Sequence, residues 1–334
     1  IINSFCGVSW VDISTGEFNV TNVSLGNLNS LLSRVMPSEI LISEDVEKRT
    51  KDLEDNKDFI FTYLPDRNFD PVISRKNIEN HYGIKSLIAF GDFTNAELGS
   101  MGAILAYLEA TQFTNSMVIQ KPLKEQTHLT LKIDAASRKN LELTKTLSGE
   151  SNGSLLTAIN LTTTNAGSRL LEARLNCPSS NVQEIKNRQS KIDFFISQSE
   201  VIGLTRNVLK TTPDMQRSLV RIGINRGGPK DLGNIRICLK AIDEINDIFL
   251  SCSGLDSIFE ITKNFKGFEI LLITLEKALI ETPPITIKEG NFLRPGYDSK
   301  LDELRNLKSE AQTLIISLQS KYCQISGVNS LKIK

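Results

Sequence analysis

The sequence predicts an α/β domain over residues 1–133, then a mainly α-helical domain over 134–298, and over 299–334 a long helix followed by the start of a further element. Three observations carry this. Short runs rich in β-branched and aromatic residues are confined to the first 133 residues, with helical or loop segments between them. From Asp134 onward the apolar residues recur at helical spacing, interrupted at Gly149, Gly153, Pro178, Pro213 and residues 227–229. Finally, residues 304–325 hold a narrow apolar stripe over a length that no small domain needs.

In chain order, strands are expected around 11–13 and 17–20, joined by the turn Ser14-Thr15-Gly16 as a hairpin. Residues 39–42 and 59–64 read as further strands. Leu98, Met101, Ile104, Leu105 and Leu108 lie at helical spacing and predict a helix over 95–111, and the alternation over 128–133 predicts a closing strand.

In the helical part, the stretch 213–240 predicts two helices with a sharp break. Thr212 is placed to cap the first, with Pro213 at its first position, where a missing N–H costs nothing. Met215, Leu219 and Ile222 continue it until Gly227 and Gly228 allow the backbone to end it. Pro229 suits the start of the second helix and Asp231 its positive end, and Leu232, Ile235, Leu239, Ile242 and Ile245 form its apolar stripe. An extended segment is expected at 284–287 and a turn at 289–291. Ser299 and Asp302 then read as a capping box, ahead of Leu304, Leu307, Ala311, Leu314, Leu318 and Ile325 at alternating spacings of 3 and 4. With Gly327 as its end, this helix would span on the order of 40 Å.

A chain of 334 residues is long enough for two or three domains. Its apolar fraction of 40% and charged fraction of 23% argue against disorder and against a membrane class. The first residues do not read as a signal peptide, so a cytoplasmic location is expected. Five cysteines with no C-x-x-C pair read as reduced core residues. His81 and His128 lie far apart with no ligand cluster, so no metal is implied.

Charge is unevenly spread. Residues 1–133 carry 12 Lys and Arg against 17 Asp and Glu, a balance of −5, and the remainder carries the compensating +5. Between 206 and 240 eight basic residues face only Asp214 and Asp231. Arg206 and Lys210, Arg217 and Arg221, and Arg236 and Lys240 are each four apart, where like charges repel on a free helix. Such a face is either solvated or meets a polyanion or an acidic domain. Arg217, Arg221, Arg226 and Lys230 are the candidates for residues facing DNA or another domain, and the −5 of the first part favours protein.

Chemistry-bearing motifs are scarce. A phosphate-binding G-x-x-x-x-G-K-[ST] loop is missing, and its nearest lookalike, Gly227-Gly228-Pro229-Lys230, has proline where an amide donor is needed. Asp12 on a first strand invites a nuclease reading with Glu39 or Glu44 as partners, but two-metal cleavage needs several converging carboxylates. Arg226-Gly227-Gly228 is a single unit between helices, unlike a repeated nucleic-acid-binding RGG segment.

Several strings nevertheless occur in one order: GDF at 91–93 leading to YLEATQ at 107–112, DAASRKNLEL at 134–143, TLSG at 146–149, PDMQRSL at 213–219, NRGGPKDL at 225–232, and GYD at 296–298 before LDELR at 301–305. Together they span nearly the whole chain, and the sequence resembles the MutS family of bacterial DNA mismatch-recognition ATPases. It departs at Arg174, where the family usually has tryptophan, and at Ala166, where methionine is common.

The resemblance implies a connector domain of ribonuclease-H-like fold over 1–133, a lever and core over 134–298, and a long lever helix leading into the start of a clamp over 299–334. It implies a homodimer that acts on mismatched double-stranded DNA with MutL as partner, and ATP and Mg bound elsewhere in the full-length protein. Within these residues it implies no catalytic, cofactor-binding or metal-binding side chain. Ile1 in place of Met, and a strand pattern at 331–334 without a partner, predict a piece of a longer protein. A family scaffold that does not read mismatches, or a standalone nuclease, are the alternatives.

Overall fold

The hairpin at the start of the chain forms as expected in the computed structural model, which describes residues 5–43, 59–111, 119–125, 129–252 and 258–327. Strand β1 (Phe5–Asp12) pairs antiparallel with β2 (Glu17–Ser24), and Asp12 stands opposite Glu17. The turn closes because Thr15 N and Gly16 N both donate to Asp12 O, while Gly16 takes φ 72°, a region open to glycine without strain. Alternation then sorts the side chains between two faces. Val11, Phe18 and Val20 join a core with Ile78, Leu98, Met101 and Leu105, whereas Val8 and Val23 pack against Leu28 and Leu32.

The first face is covered by α2 (Pro71–Tyr82) and α3 (Asn95–Ala110), the second by α1 (Leu25–Val35). A reciprocal capping box between Thr94 and Glu97 starts α3. Glu97 is fully buried, and Lys124 Nζ reaches its carboxylate at 2.9 Å. Strands β3 (Ile40–Ser43) and β4 (Phe61–Leu64) pair parallel as a separate two-stranded sheet, and β5 (Leu123–Lys124) adds parallel to β2.

The closing strand expected over 128–133 needs correction. Residue 128 lies outside the described residues, and 129–131 do not join the first domain's sheet. Thr130 bridges to Ser179, Leu131 N donates to Pro178 O and Ser180 N donates to Leu129 O, so this segment is bonded to the helical domain.

That domain comprises α4 (Ala135–Asn140), α5 (Leu155–Ile159), α6 (Asn165–Asn176), α7 (Val182–Ser197), α8 (Ser199–Lys210), α9 (Met215–Gly223), α10 (Pro229–Leu250), α11 (Phe259–Thr262), α12 (Glu269–Ala278) and α13 (Ser299–Ser326). Helix α10 is its axis. Toward its start Ile235 and Leu239 pack with Leu275 and Leu279; toward its end Ile245 and Phe249 pack with Phe194, Val201 and Ile258.

Local signals shift by a few residues from expectation. Asp214, not Thr212, caps α9 by accepting from Arg217 N, so Pro213 precedes the cap. Helix α9 ends at Gly223, and the left-handed residue beyond it is Asn225 at φ 55°, not a glycine. Asp298 rather than Ser299 caps α13, while Gly327 ends it at φ 67° as expected. Residues 284–287 pair with no strand among the described residues; Ile287–Glu289 is a 3-10 turn, followed by Gly290 and Asn291 at positive φ. Of the cysteines, Cys238 is buried and Cys6, Cys177, Cys252 and Cys323 are half-buried, all with free thiols. No helix among the described residues is long and apolar enough to cross a membrane.

Candidate interdomain coupling site

The two domains meet at the first helical turn of α9 and, separately, where α1 lies against α4. Asp214 caps that turn and also receives Arg169 of α6, with Nη1–Oδ2 at 2.6 Å and Nη2–Oδ1 at 3.2 Å. Such a planar two-point pair fixes orientation as well as distance. Arg169 Nη2 further donates to Gln216 Oε1 at 3.2 Å. The amide of Gln216 then crosses to the hairpin turn of the first domain, donating to Thr15 O and to Glu17 Oε1, each at 3.2 Å.

Gln120 Nε2 donates to the same Thr15 carbonyl at 3.3 Å, and Ile224, just beyond α9, packs against the first domain's core. The hydrogen bonds from Arg169 hold the Asp214 carboxyl below the usual carboxylate range, outweighing its partial burial. The same pairing raises Arg169, which also feels Asp12 and Glu17.

From this contact the bonding continues through the break between α9 and α10. Arg221 Nε donates to Asp231 Oδ1 at 2.9 Å, its Nη2 bonds the same oxygen, and Asp231 Oδ2 accepts Gly228 N at 3.0 Å. One carboxylate thus caps α10 and pins it to α9. Burial would raise the Asp231 pKa, but Arg221 and the Gly228 amide hold it below its usual value. Ser218 Oγ accepts from both Arg221 and Asn234. The glycines are needed for close approach: a Cβ on Gly227 would lie 2.6 Å from the Ile222 side chain, and one on Gly228 would lie 2.1 Å from Ile285 O.

Of the four basic candidates, Arg221 finds its carboxylate on the next helix and not on the first domain. Arg217 is half exposed, with Nε 3.7 Å from Asp214 Oδ2. Arg226 is exposed and donates its backbone N–H to Arg221 O; Lys230 is exposed and donates its own to Pro284 O. The like-charged pairs are separated in the same way. Arg206 turns to Leu161 O, and Lys240 pairs with Glu276 at 2.7 Å. The neutral Gln216 does reach the first domain. Charge pattern could not have revealed it, and its only signal is its place inside the PDMQRSL string.

Beyond α10 the chain returns through a clip. Ile280 N donates to Phe292 O and Arg294 N to Ala278 O, and Leu279 bridges Leu293 antiparallel. Helix α13 is tied to this clip at its base, where Arg305 Nη2 donates to Leu293 O at 3.0 Å and Asp302 Oδ2 accepts Gly296 N at 2.6 Å. With Arg236 of α10 donating to Leu279 O at 3.0 Å, a series of polar contacts runs from the hairpin turn through α9 and α10 to the base of the long helix.

The arrangement does not fit a nucleotide phosphate at 227–230. Gly228 N is committed to Asp231, Lys230 N to Pro284 O, Pro229 has no N–H, and the Asp231 carboxylate would repel an anion. A two-metal nuclease centre is not assembled either. Asp12 receives Ser14 N at 2.8 Å as a turn residue, and Glu39 is engaged by Thr62 and Tyr107. Burial would raise the Asp12 pKa, but hydrogen bonds from Ser14 and Thr15 hold its carboxyl below the usual range. Glu44 lies outside the described residues, among which no group of three His, Cys, Asp or Glu could hold a metal.

A profile of MutS domain II matches residues 2–120, and one of MutS domain III matches residues 136–328, over half of the chain. The chain belongs to the MutS family. Its α/β part is domain II, the connector, and its helical part domain III, the lever and core.

Curated relatives named DNA mismatch repair protein MutS agree along the whole length. That of Ruegeria pomeroyi is 40% identical over 337 residues, covering 100% of this chain, and that of Dinoroseobacter shibae is 38% identical over 328 residues, covering 98%. A third, from Ruegeria sp. (strain TM1040), is 37% identical over 328 residues and also covers 98%. The chain spans 38%, 37% and 37% of these relatives respectively.

Proposed function

We propose that these residues are the mechanical linkage of a DNA mismatch-repair protein, coupling ATP binding and hydrolysis in one part of the full-length molecule to its grip on mismatched double-stranded DNA in another. The observation that carries this is the bonded path from Thr15 and Glu17 through Gln216, Arg169 and Asp214 into α9, through Arg221 and Asp231 into α10, and through Arg236 and the clip to Arg305. Coupling between distant sites needs a connected element that moves as a body, and such a path supplies one.

In this reading residues 1–133 are the connector, with a ribonuclease-H-like fold that cuts no nucleic acid and serves as the docking surface for MutL. Residues 134–298 are the lever and core, and 299–334 carry the long lever helix toward the clamp. The whole protein works as a cytoplasmic homodimer, and ATP with Mg is held by residues outside this stretch. Family membership supports the partners, and the bonded path supports the mechanical role.

The test is made on the full-length protein carrying Arg169→Ala together with Gln216→Ala. The expected result is that ATP-induced release from a mismatched duplex slows about tenfold, while binding of ATP alone and of DNA alone each changes by less than about threefold. Unchanged release in a folded variant would overturn the reading.

A further inference from the structure

Arg236 lies in the middle of α10 and is only 5% exposed. Its guanidinium donates from Nη1 to Leu279 O at 3.0 Å and from Nη2 to Glu281 O at 2.6 Å. Both carbonyls follow the end of α12, where the helix dipole places partial negative charge. Arg294 Nε donates to the same Leu279 carbonyl at 2.6 Å, so two cations converge on one oxygen. Burial, and after it the neighbouring Arg294, hold Arg236 below the usual guanidinium range, with Glu276 and Glu281 opposing.

A buried charge so placed is poorly explained by stability. Apolar side chains of similar volume often serve a core as well or better. What a planar fork adds is geometry, since two donors in one plane set the distance and the rotation of the carbonyls they hold. Leu279 O lies in the clip of 278–280 and 292–294, the segment to which Arg305 fastens the base of α13, and Glu281 O follows that segment directly.

We infer that Arg236 is a positioning residue that sets the base of α13 relative to α10 through this clip. The inference rests on the linkage reading above but concerns a geometry that can be measured without nucleotide or DNA. In the full-length protein, probes introduced as unnatural amino acids at the exposed Glu244 of α10 and Gln312 of α13 report the distance between the two helices.

Arg236→Lys, which keeps the charge but loses the fork, is expected to broaden that distance distribution about twofold or more, and Arg236→Met to do the same without the charge. Arg294→Gln, at an exposed position, is expected to broaden it less and serves if the Arg236 variants do not fold. An unchanged distribution in folded Arg236→Lys and Arg236→Met, or in Arg294→Gln where those do not fold, overturns the inference even if melting temperature falls. A broadened distribution with unchanged ATP-induced release supports Arg236 as a positioning residue and overturns the linkage reading instead.

Discussion

Helices α10 and α13 are the two longest among the described residues, 22 and 28 residues, and they live in opposite surroundings. Ten residues of α10 are buried, including the polar Asp231 and Arg236, whereas none of α13 is. Both begin with a carboxylate in their first turn and both carry an apolar stripe. What separates them is contact: α10 is gripped by α8, α9 and α12, while α13 is held at its base by Asp302 and Arg305. A helix enclosed on several sides transmits displacement as a rigid axis, and one fastened at a single end behaves as an arm. Local signals set the length of each, and its neighbours set its mechanical character.

This contrast can be broken or sharpened by substitution, beginning with the largest effect. Leu239→Ala empties a site 4% exposed between Ile235, Leu275 and Leu279, and it should lower unfolding free energy by about 2–5 kcal/mol in urea titration. A loss near zero would mean that α10 is not the axis described here. Gly228→Ala places a methyl group into the Ile285 carbonyl, and a cost of about 1–3 kcal/mol is expected by the same method.

Asp231→Asn should cost about 1–3 kcal/mol, because Arg221 and the Gly228 amide lose their charged acceptor. Its pH dependence has a definite sign. The folded-state pKa of Asp231 and of Asp214 lies below the unfolded value, so each contributes in full above about pH 4 and loses that contribution as pH falls through its folded pKa. Stability of the parent should therefore fall more steeply below about pH 4 than that of Asp231→Asn, and parallel profiles would remove Asp231 from the account. Last, Leu314→Ala on α13, at a position 61% exposed, should change stability by less than about 0.5 kcal/mol.

The site was only partly legible beforehand. The hairpin, α3, the proline at the start of α10 and the glycine at the end of α13 are written in local chemistry and lie where the residues place them. The end of α9 is not legible from the glycines, because Asn225, two and three residues ahead of Gly227 and Gly228, takes the left-handed conformation itself. Gly227 answers to Ile222 across the turn, and Gly228 to Ile285 nearly sixty residues away, a constraint that no local window contains. The basic stretch misled in a similar way. Spacing showed like charges four apart, but whether Arg221 would meet DNA, another domain or its own neighbour depended on how the 223–228 turn folds Asp231 back against α9.

The sequence by itself determined that an α/β part precedes a helical part, the bounds of α3 and the start of α10 and α13 to within a residue or two, and through its ordered strings the family. These follow from backbone preference, periodicity and short-range caps, which act within a few residues. Only the tertiary structure decided that Gln216 bonds the hairpin turn, that residues 129–131 bond to the helical domain, and that Arg236 donates to the clip. Each depends on a partner dozens to hundreds of residues distant, and hydrogen-bond geometry at that separation exists only after the chain has folded.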